Sequence, residues 1–179
     1  MNIPNSLKEQ IKADFFVHDK IIVVYFSVST FNAVLNPKEA NKQFLDDLPA
    51  CLDNIKTFKE AMEHYGATKP EDVYNLCNES FKQCTVTLRN IQKRIQEDPE
   101  TNYLILYVIA GHGMNVKGQQ VLLLNEFDKK TNWYKMLMVE TKIRTLAKIC
   151  PNSYQVAFFG CCREVYDKSF HNGVENKNT

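Results

Sequence analysis

The stretch 103–113, YLILYVIAGHG, decides the fold that this sequence predicts. Its first eight residues are all apolar, which is typical of a β-strand that is covered on both faces. His112 follows this run, with Gly111 and Gly113 on either side of it. Because ligands of open parallel sheets bind at the carboxyl ends of the strands, the stretch predicts a functional site as well as a strand.

A second strand-like run, residues 154–159, leads into a vicinal pair of thiols, Cys161 and Cys162. The thiolate is the reactive form of cysteine, and a neighbouring imidazole commonly generates or assists it near neutral pH. If the two strands are parallel neighbours, His112 and Cys162 follow them at the same rim of the sheet. The backbone amides of Gly113 and Cys162 are then natural donors to an oxyanion in acyl transfer. The pattern therefore favours a cysteine nucleophile.

The other elements are predicted from the spacing of apolar residues. They are a strand at 21–28, a helix with apolar positions from Phe44 to Met62, a short strand at 73–76, a helix marked by Val86, Leu88, Ile91 and Ile95, a turn at 116–119 into a strand at 121–124, a loop at 125–138, and a helix at 139–149. Pro49 interrupts the first helical pattern, so the regular helix is expected to begin near it.

This order of elements predicts an α/β fold, a three-layer α/β/α sandwich with a mostly parallel sheet. We expect a lead-in segment at 1–19, one domain at 20–170 and a disordered polar tail at 171–179. The run at 154–159 is expected to be the last strand and to lie at the margin of the sheet. Its apolar edge has no proline or charge to protect it, which predicts that another chain covers it.

The composition indicates a globular protein without a strongly charged partner. The chain has 179 residues, of which 44% are hydrophobic and 24% charged. Its 22 basic and 21 acidic residues give a net charge of +1, so neither nucleic acid nor a membrane is an expected partner. None of the six cysteines forms a Cys-x-x-Cys pair, and no structural metal is predicted. Without a secretory signal pattern, the expected location is the reducing cytoplasm.

Three other chemistries fit the residues less well. A dinucleotide-binding loop needs a third glycine, but Val116 stands there. A phosphate loop of the Walker type needs Gly-Lys-Ser/Thr, which the sequence lacks. A nucleophile elbow needs small residues two before and two after the nucleophile and a later histidine, whereas Glu164 follows Cys162 and His112 precedes it.

The segments 110–113 (AGHG) and 158–164 (FFGCCRE) resemble the caspase-like clan of cysteine peptidases, which includes the metacaspases. A histidine about 50 residues before the cysteine is a known spacing of that clan. The order of elements over roughly residues 20–168 is also similar to its large, p20-type subunit. The resemblance implies a caspase-like fold and peptide-bond hydrolysis by a Cys-His dyad. It implies His112 as the dyad histidine and Gly113 as an oxyanion-hole amide.

The resemblance also selects between the two thiols. The nucleophile of the clan commonly stands directly before arginine or histidine, and Arg163 follows Cys162. Cys161 is then expected to be a packing residue. Two positions before the nucleophile, caspases have glutamine and metacaspases aspartate, but this chain has Gly160. No preference for an acidic or a basic substrate residue is therefore inherited, and the substrate-binding residues stay unknown.

The resemblance implies a peptide or protein substrate and no obligatory cofactor. A calcium ion of the metacaspase type has Glu126, Asp128 and the pair Asp46 and Asp47 as candidate ligands, without support from their spacing. The sequence ends at Thr179 and contains nothing similar to the small, p10-type portion. The expected partner is therefore a second copy, a p10-like chain or a full-length caspase-domain relative at the last strand edge.

Two other functions stay open at this point. A non-catalytic caspase-like module could bind or regulate a full-length relative. A vicinal-dithiol redox sensor at Cys161 and Cys162 would change state with oxidants and cleave no peptide.

Overall fold

The computed structural model describes residues 18–30, 48–64, 69–116, 118–124, 136–161 and 164–165. Within these ranges the elements are β1 (Lys20–Ser27), α1 (Ala50–His64), a 3-10 turn (Pro70–Asp72), β2 (Val73–Cys77), α2 (Phe81–Gln96), β3 (Tyr103–Gly111), β4 (Gly113–Val116), β5 (Gln119–Leu123), β6 (Met136–Leu137), α3 (Val139–Ile149), β7 (Ser153–Cys161) and β8 (Glu164–Val165).

The main sheet has the strand order β2-β1-β3-β7, and every neighbouring pair in it is parallel. A smaller sheet has the order β6-β5-β4-β8 and is built on the antiparallel hairpin of β4 and β5. The predicted α/β fold with a mostly parallel sheet is confirmed. β3 lies between β1 and β7, and all of its residues are buried, as its unbroken apolar run predicts.

Helices cover both faces of the main sheet. On the first face, called the α1 face, Val23 of β1 and Leu106 of β3 pack in one cluster with Ile55 of α1. On the second, the α2/α3 face, alternate residues such as Ile105 pack in one cluster with Ile91 of α2. Because successive side chains of a strand point to opposite faces, β1 and β3 supply both clusters. The result is the predicted three layers.

The helices match their predicted positions, with differences in which residues are buried. The first helix begins at Ala50, directly after Pro49, and Phe44 lies outside the described residues. Val86, one of the apolar residues that marked this helix, is 40% exposed, while Cys84 is 1% exposed. Cys84 and Ile91 are seven residues apart and lie on the same side of the helix, whereas the step of two residues from Cys84 turns Val86 away from that side.

Two strand predictions were wrong. The expected loop 125–138 contains β6, in which Leu137 pairs with Leu122 and is fully buried. The run at 154–159 is not the last strand, because β8 follows it and pairs with β4 in the smaller sheet. A two-residue strand is too short to show an alternating pattern, so its position depends on the neighbouring strand.

A carboxylate ties together the amino ends of two central strands. Asp98 accepts hydrogen bonds at 2.8 Å from the Lys20 ammonium of β1, at 2.8 Å from the Tyr103 hydroxyl of β3, and at 2.9 Å from the Thr101 hydroxyl. The bond from Lys20, followed by those from Tyr103 and Thr101, lowers the pKa of Asp98 to about 2. The ionised form is therefore the one that the fold stabilises.

We expect Asp98 to make the stability of this protein depend on acid pH. A carboxyl group whose pKa falls from 3.8 to about 2 on folding stabilises the folded state above pH 3.8. This stabilisation is lost as the pH falls toward 2. Asp98→Asn should lower the urea concentration at the midpoint of unfolding at pH 7. In this variant the midpoint should also fall less than in wild type as the pH drops from 3.8 toward 2. The neighbouring variant Glu97→Gln, which removes an exposed ion pair with Lys93, should change little. Parallel pH curves for wild type and Asp98→Asn would contradict this role.

None of the helices within the described ranges is long and apolar enough to cross a membrane.

Candidate active site

His112 directly follows the central strand of the sheet. It stands between β3 and β4, and it is partly exposed. Its carbonyl accepts a hydrogen bond from the Leu123 amide at 2.9 Å, which attaches this turn to the smaller sheet. The chain thus passes from the main sheet to the smaller sheet at the predicted histidine.

Gly111 makes this passage possible. Its φ is +151°, a conformation that residues with side chains rarely adopt. A Cβ at this position would lie 3.1 Å from Leu122 Cδ1 and 3.2 Å from the Val28 carbonyl oxygen. Glycine is therefore required both by the backbone angle and by the space available.

The amide of Gly113 points away from the hairpin partner strand. Gly113 pairs with Leu122, and the bond from the Leu123 amide to the His112 carbonyl flanks this pair. In an antiparallel ladder such bonds flank a non-hydrogen-bonded pair, so the N–H of Gly113 is directed to the other side of β4. That is the side on which β8 pairs, beginning at Glu164.

β7 brings the first thiol to the same rim. β3 and β7 are parallel neighbours, and their last register pair joins Gly111 to Cys161. Cys161 is partly buried and packs against the core of the α2/α3 face. Its sulfur accepts a hydrogen bond at 3.5 Å from the Gln120 side-chain amide. These contacts attach Cys161 to the core and to the β4–β5 hairpin, and its role as a packing residue stays a prediction.

Gln120 is a neighbour of the site that the sequence did not reveal. It is 8% exposed, and its backbone N–H donates to the Glu140 carboxylate at 3.3 Å. A bond from Arg144, followed by this one, lowers the pKa of Glu140. Gln120 and Cys161 are 41 positions apart, and no local pattern links them.

A cleft of about 450 Å³ lies on the α2/α3 face of β7. Its lining includes the polar residues Gln120, Glu140 and Arg144, and Ala157 and Phe159 of β7 contribute apolar surface. The cleft is therefore lined by both polar and apolar groups. Since Gln120 also contacts Cys161, the cleft adjoins the rim that carries the predicted site.

Several predicted site residues lie outside the described residues. Cys162, the predicted nucleophile, follows the last residue of β7, and Arg163 comes next. The calcium candidates Asp46, Asp47, Glu126 and Asp128 are also outside. Among the residues that the structure describes, no group of His, Cys, Asp and Glu could hold a metal ion.

No disulfide joins the described cysteines. Cys51, Cys84 and Cys150 are buried, while Cys77 and Cys161 are partly exposed. Burial raises the pKa of the Cys150 thiol, which makes it a poor nucleophile near neutral pH. Of the described thiols, only the last two are open to reagents without unfolding.

No family model matches this chain, and no curated protein is significantly similar to it.

Proposed function

We propose that this protein is a cysteine-type endopeptidase of the caspase-like clan, with Cys162 as nucleophile and His112 as its acid–base partner. The observation that carries the proposal is the pairing of β3 with β7. Gly111 and Cys161 form the last register pair of the two strands. His112 directly follows Gly111, and Cys162 directly follows Cys161.

The proposed reaction is acyl transfer to the thiol and then to water. The Cys162 thiolate forms a bond to the substrate carbonyl carbon, and the negative charge moves to the carbonyl oxygen. The Gly113 amide, which points away from β5, is suited to donate to that oxygen. The His112 imidazolium gives its proton to the leaving amine as the C–N bond breaks. A water molecule, deprotonated by His112, then hydrolyses the thioester.

The proposal includes a protein partner at the outer edge of β7. Peptidases of this clan carry a further p10-type portion, which adds strands to the sheet and part of the substrate groove. Among the described strands, β7 ends the main sheet and pairs with β3 alone. A chain that pairs with β7 would extend the sheet beside the proposed nucleophile.

We expect Cys162 to be alkylated faster than every other thiol of the native protein at pH near 6. A thiol with the ordinary pKa of about 8.5 is almost wholly protonated there, so rapid labelling reports a thiolate stabilised by its surroundings. Iodoacetamide labelling followed by peptide mapping gives the rate at each cysteine. His112→Ala should slow labelling of Cys162 and leave that of Cys77 unchanged.

A second candidate function is a non-catalytic module that binds a full-length relative. The exposed apolar residues of β7 favour it, because such a surface commonly marks an interaction site. Under this function Cys161 and Cys162 would be labelled equally slowly at pH 6, and His112→Ala would have no effect. That result would count against the peptidase.

A further inference from the structure

The outer edge of β7 offers a regular row of backbone groups. The carbonyl of Asn152 accepts from the Tyr103 amide at 2.9 Å, and β7 runs parallel to β3 from Ser153 onward. In a parallel ladder, residues alternate between bonding one neighbour and the other. Residues with even numbers in β7 therefore bond β3. The N–H and C=O groups that point outward within the strand are those of Gln155, Ala157 and Phe159, while the Ser153 N–H donates to the Cys150 carbonyl at 3.0 Å.

The same strand exposes a stripe of large apolar side chains on the α1 face. Tyr154 is 61% exposed, Val156 41% and Phe158 45%. On this face Phe58 contacts Phe158, with ring centroids 5.3 Å apart, and His18 contacts Tyr154 at 4.8 Å. These contacts leave most of the stripe uncovered, although equivalent positions of β1 and β3 are buried.

The strand is also electrically neutral. Its sequence, SYQVAFFGC, contains no charged residue and no proline. Edge strands of proteins are usually protected by such residues against pairing with another strand. A neutral strand can pair with an identical strand without placing like charges opposite each other.

We propose that β7 pairs with β7 of a second copy of this chain, antiparallel and centred on Ala157. This assignment does not depend on the peptidase activity. In this register Val156 lies opposite Phe158 of the second copy, and Tyr154 lies opposite Gly160. Ala157 lies opposite its own equivalent and Gln155 opposite Phe159, so the outward N–H and C=O groups of these three residues all find partners.

The register was chosen by comparing positions of the two-fold axis along β7, each of which sets different residues opposite each other near the ends of the strand. Antiparallel pairing sets the outward, odd-numbered residues of the two copies opposite each other, so the two-fold axis can pass through any residue of β7. An axis at Val156 would set Cys161 opposite Pro151, and an axis at Phe158 would set Ser153 opposite Arg163, beyond the end of the strand. An axis at Gln155 would set Phe159 opposite Pro151, which has no N–H to donate. An axis at Phe159 would set Tyr154 opposite Glu164, which already pairs with β4 in the smaller sheet. The axis at Ala157 uses the whole strand.

The side chains also agree with this register. Val156 opposite Phe158 is a β-branched residue against an aromatic ring, a stabilising cross-strand pair. Gly160 leaves open space beside it, since a Cβ there would meet only the Ile109 carbonyl oxygen at 3.4 Å. The ring of Tyr154 from the second copy can therefore lie across Gly160. The two stripes then form one continuous apolar surface on the α1 face.

The first test is the oligomeric state of the full chain at micromolar concentration, measured by light scattering on a sizing column. Wild type should be a dimer. Ala157→Pro should be a monomer, because it removes an outward N–H without touching the bonds to β3. Val156→Lys, at an exposed position, should also be a monomer with an unchanged circular dichroism spectrum, and it serves if the proline variant does not fold. A monomeric wild type, or a dimer that survives both substitutions, would overturn the proposal.

The second test fixes the register by disulfide cross-linking. Chains with Val156→Cys and Phe158→Cys, mixed and oxidised, should form a covalent dimer joined at these two positions, as identified by peptide mapping. Either variant alone should not cross-link at its new cysteine. The matched mixture of Val156→Cys with Tyr154→Cys corresponds to the axis at Gln155 and should stay unlinked. Cross-linking in that mixture, and not in the first, would exclude the axis at Ala157.

Discussion

Replacing Cys162 with alanine is expected to abolish peptide hydrolysis, with a loss of at least about a thousandfold in kcat. Alanine cannot form the thioester, so only the slow background reaction remains. The measurement is the turnover of a fluorogenic peptide library, because Gly160 gives no basis for choosing one substrate residue. Wild type and variant are assayed with this library at a micromolar protein concentration, at which wild type is expected to be a dimer. The folded state should be unchanged by circular dichroism.

Cys161→Ala is the matched control for this loss. It removes the adjacent thiol, which packs against the α2/α3 face and contacts Gln120. We expect it to retain most of the turnover and to lower stability by about 1 kcal/mol, as for other small truncations at partly buried positions. The reverse pattern, in which Cys161→Ala is inactive and Cys162→Ala active, would identify the other thiol as the nucleophile. Reversible loss of function on oxidation without any peptide cleavage would instead favour the redox sensor.

The main sheet could be predicted because its strands are long and nearly unbroken in apolar residues. β3 is buried throughout, and its predicted range differs from the observed one by a single residue. α3 was predicted at its observed bounds, since Val139 and Leu146 repeat at helical spacing before Pro151. Short strands could not be predicted in this way. β6 and β8 have two residues each, and only their pairing with β5 and β4 defines them.

The candidate site, like the fold, could be predicted from the sequence only in part. The sequence predicted that the strands before His112 and Cys161 would be parallel neighbours, and the register of β3 with β7 confirms it. The cleft and Gln120 depend on how α3 and the β4–β5 hairpin lie over β7. Such contacts between distant segments leave no periodic signal in the sequence. The role of Cys162 stays a prediction, and the labelling and turnover experiments address it directly.

Gly111→Ala is expected to destabilise the protein by about 2–4 kcal/mol, the largest stability effect predicted here. Two causes act together: the backbone strain of a side chain at φ +151°, and contacts of 3.1 and 3.2 Å that the new Cβ would make with Leu122 and Val28. Because His112 is the next residue, relief of this strain should also displace the imidazole. The measurements are the midpoint of urea unfolding and the labelling rate of Cys162 at pH 6, and both values should be lower than in wild type.

Two other glycines separate the two causes. Gly118, with φ +81° and no atom within 4 Å of the added Cβ, should show the backbone strain alone, about 1 kcal/mol for Gly118→Ala. Gly160→Ala meets only the Ile109 carbonyl oxygen at 3.4 Å, an ordinary contact, and should change stability by less than about 0.5 kcal/mol. The order Gly111, Gly118, Gly160 in lost stability therefore follows from the geometry of each position. If Gly111→Ala proved no worse than Gly118→Ala, the crowding of Leu122 and Val28 around the turn would be relieved at little cost, and the turn before His112 would be less rigid than its contacts indicate.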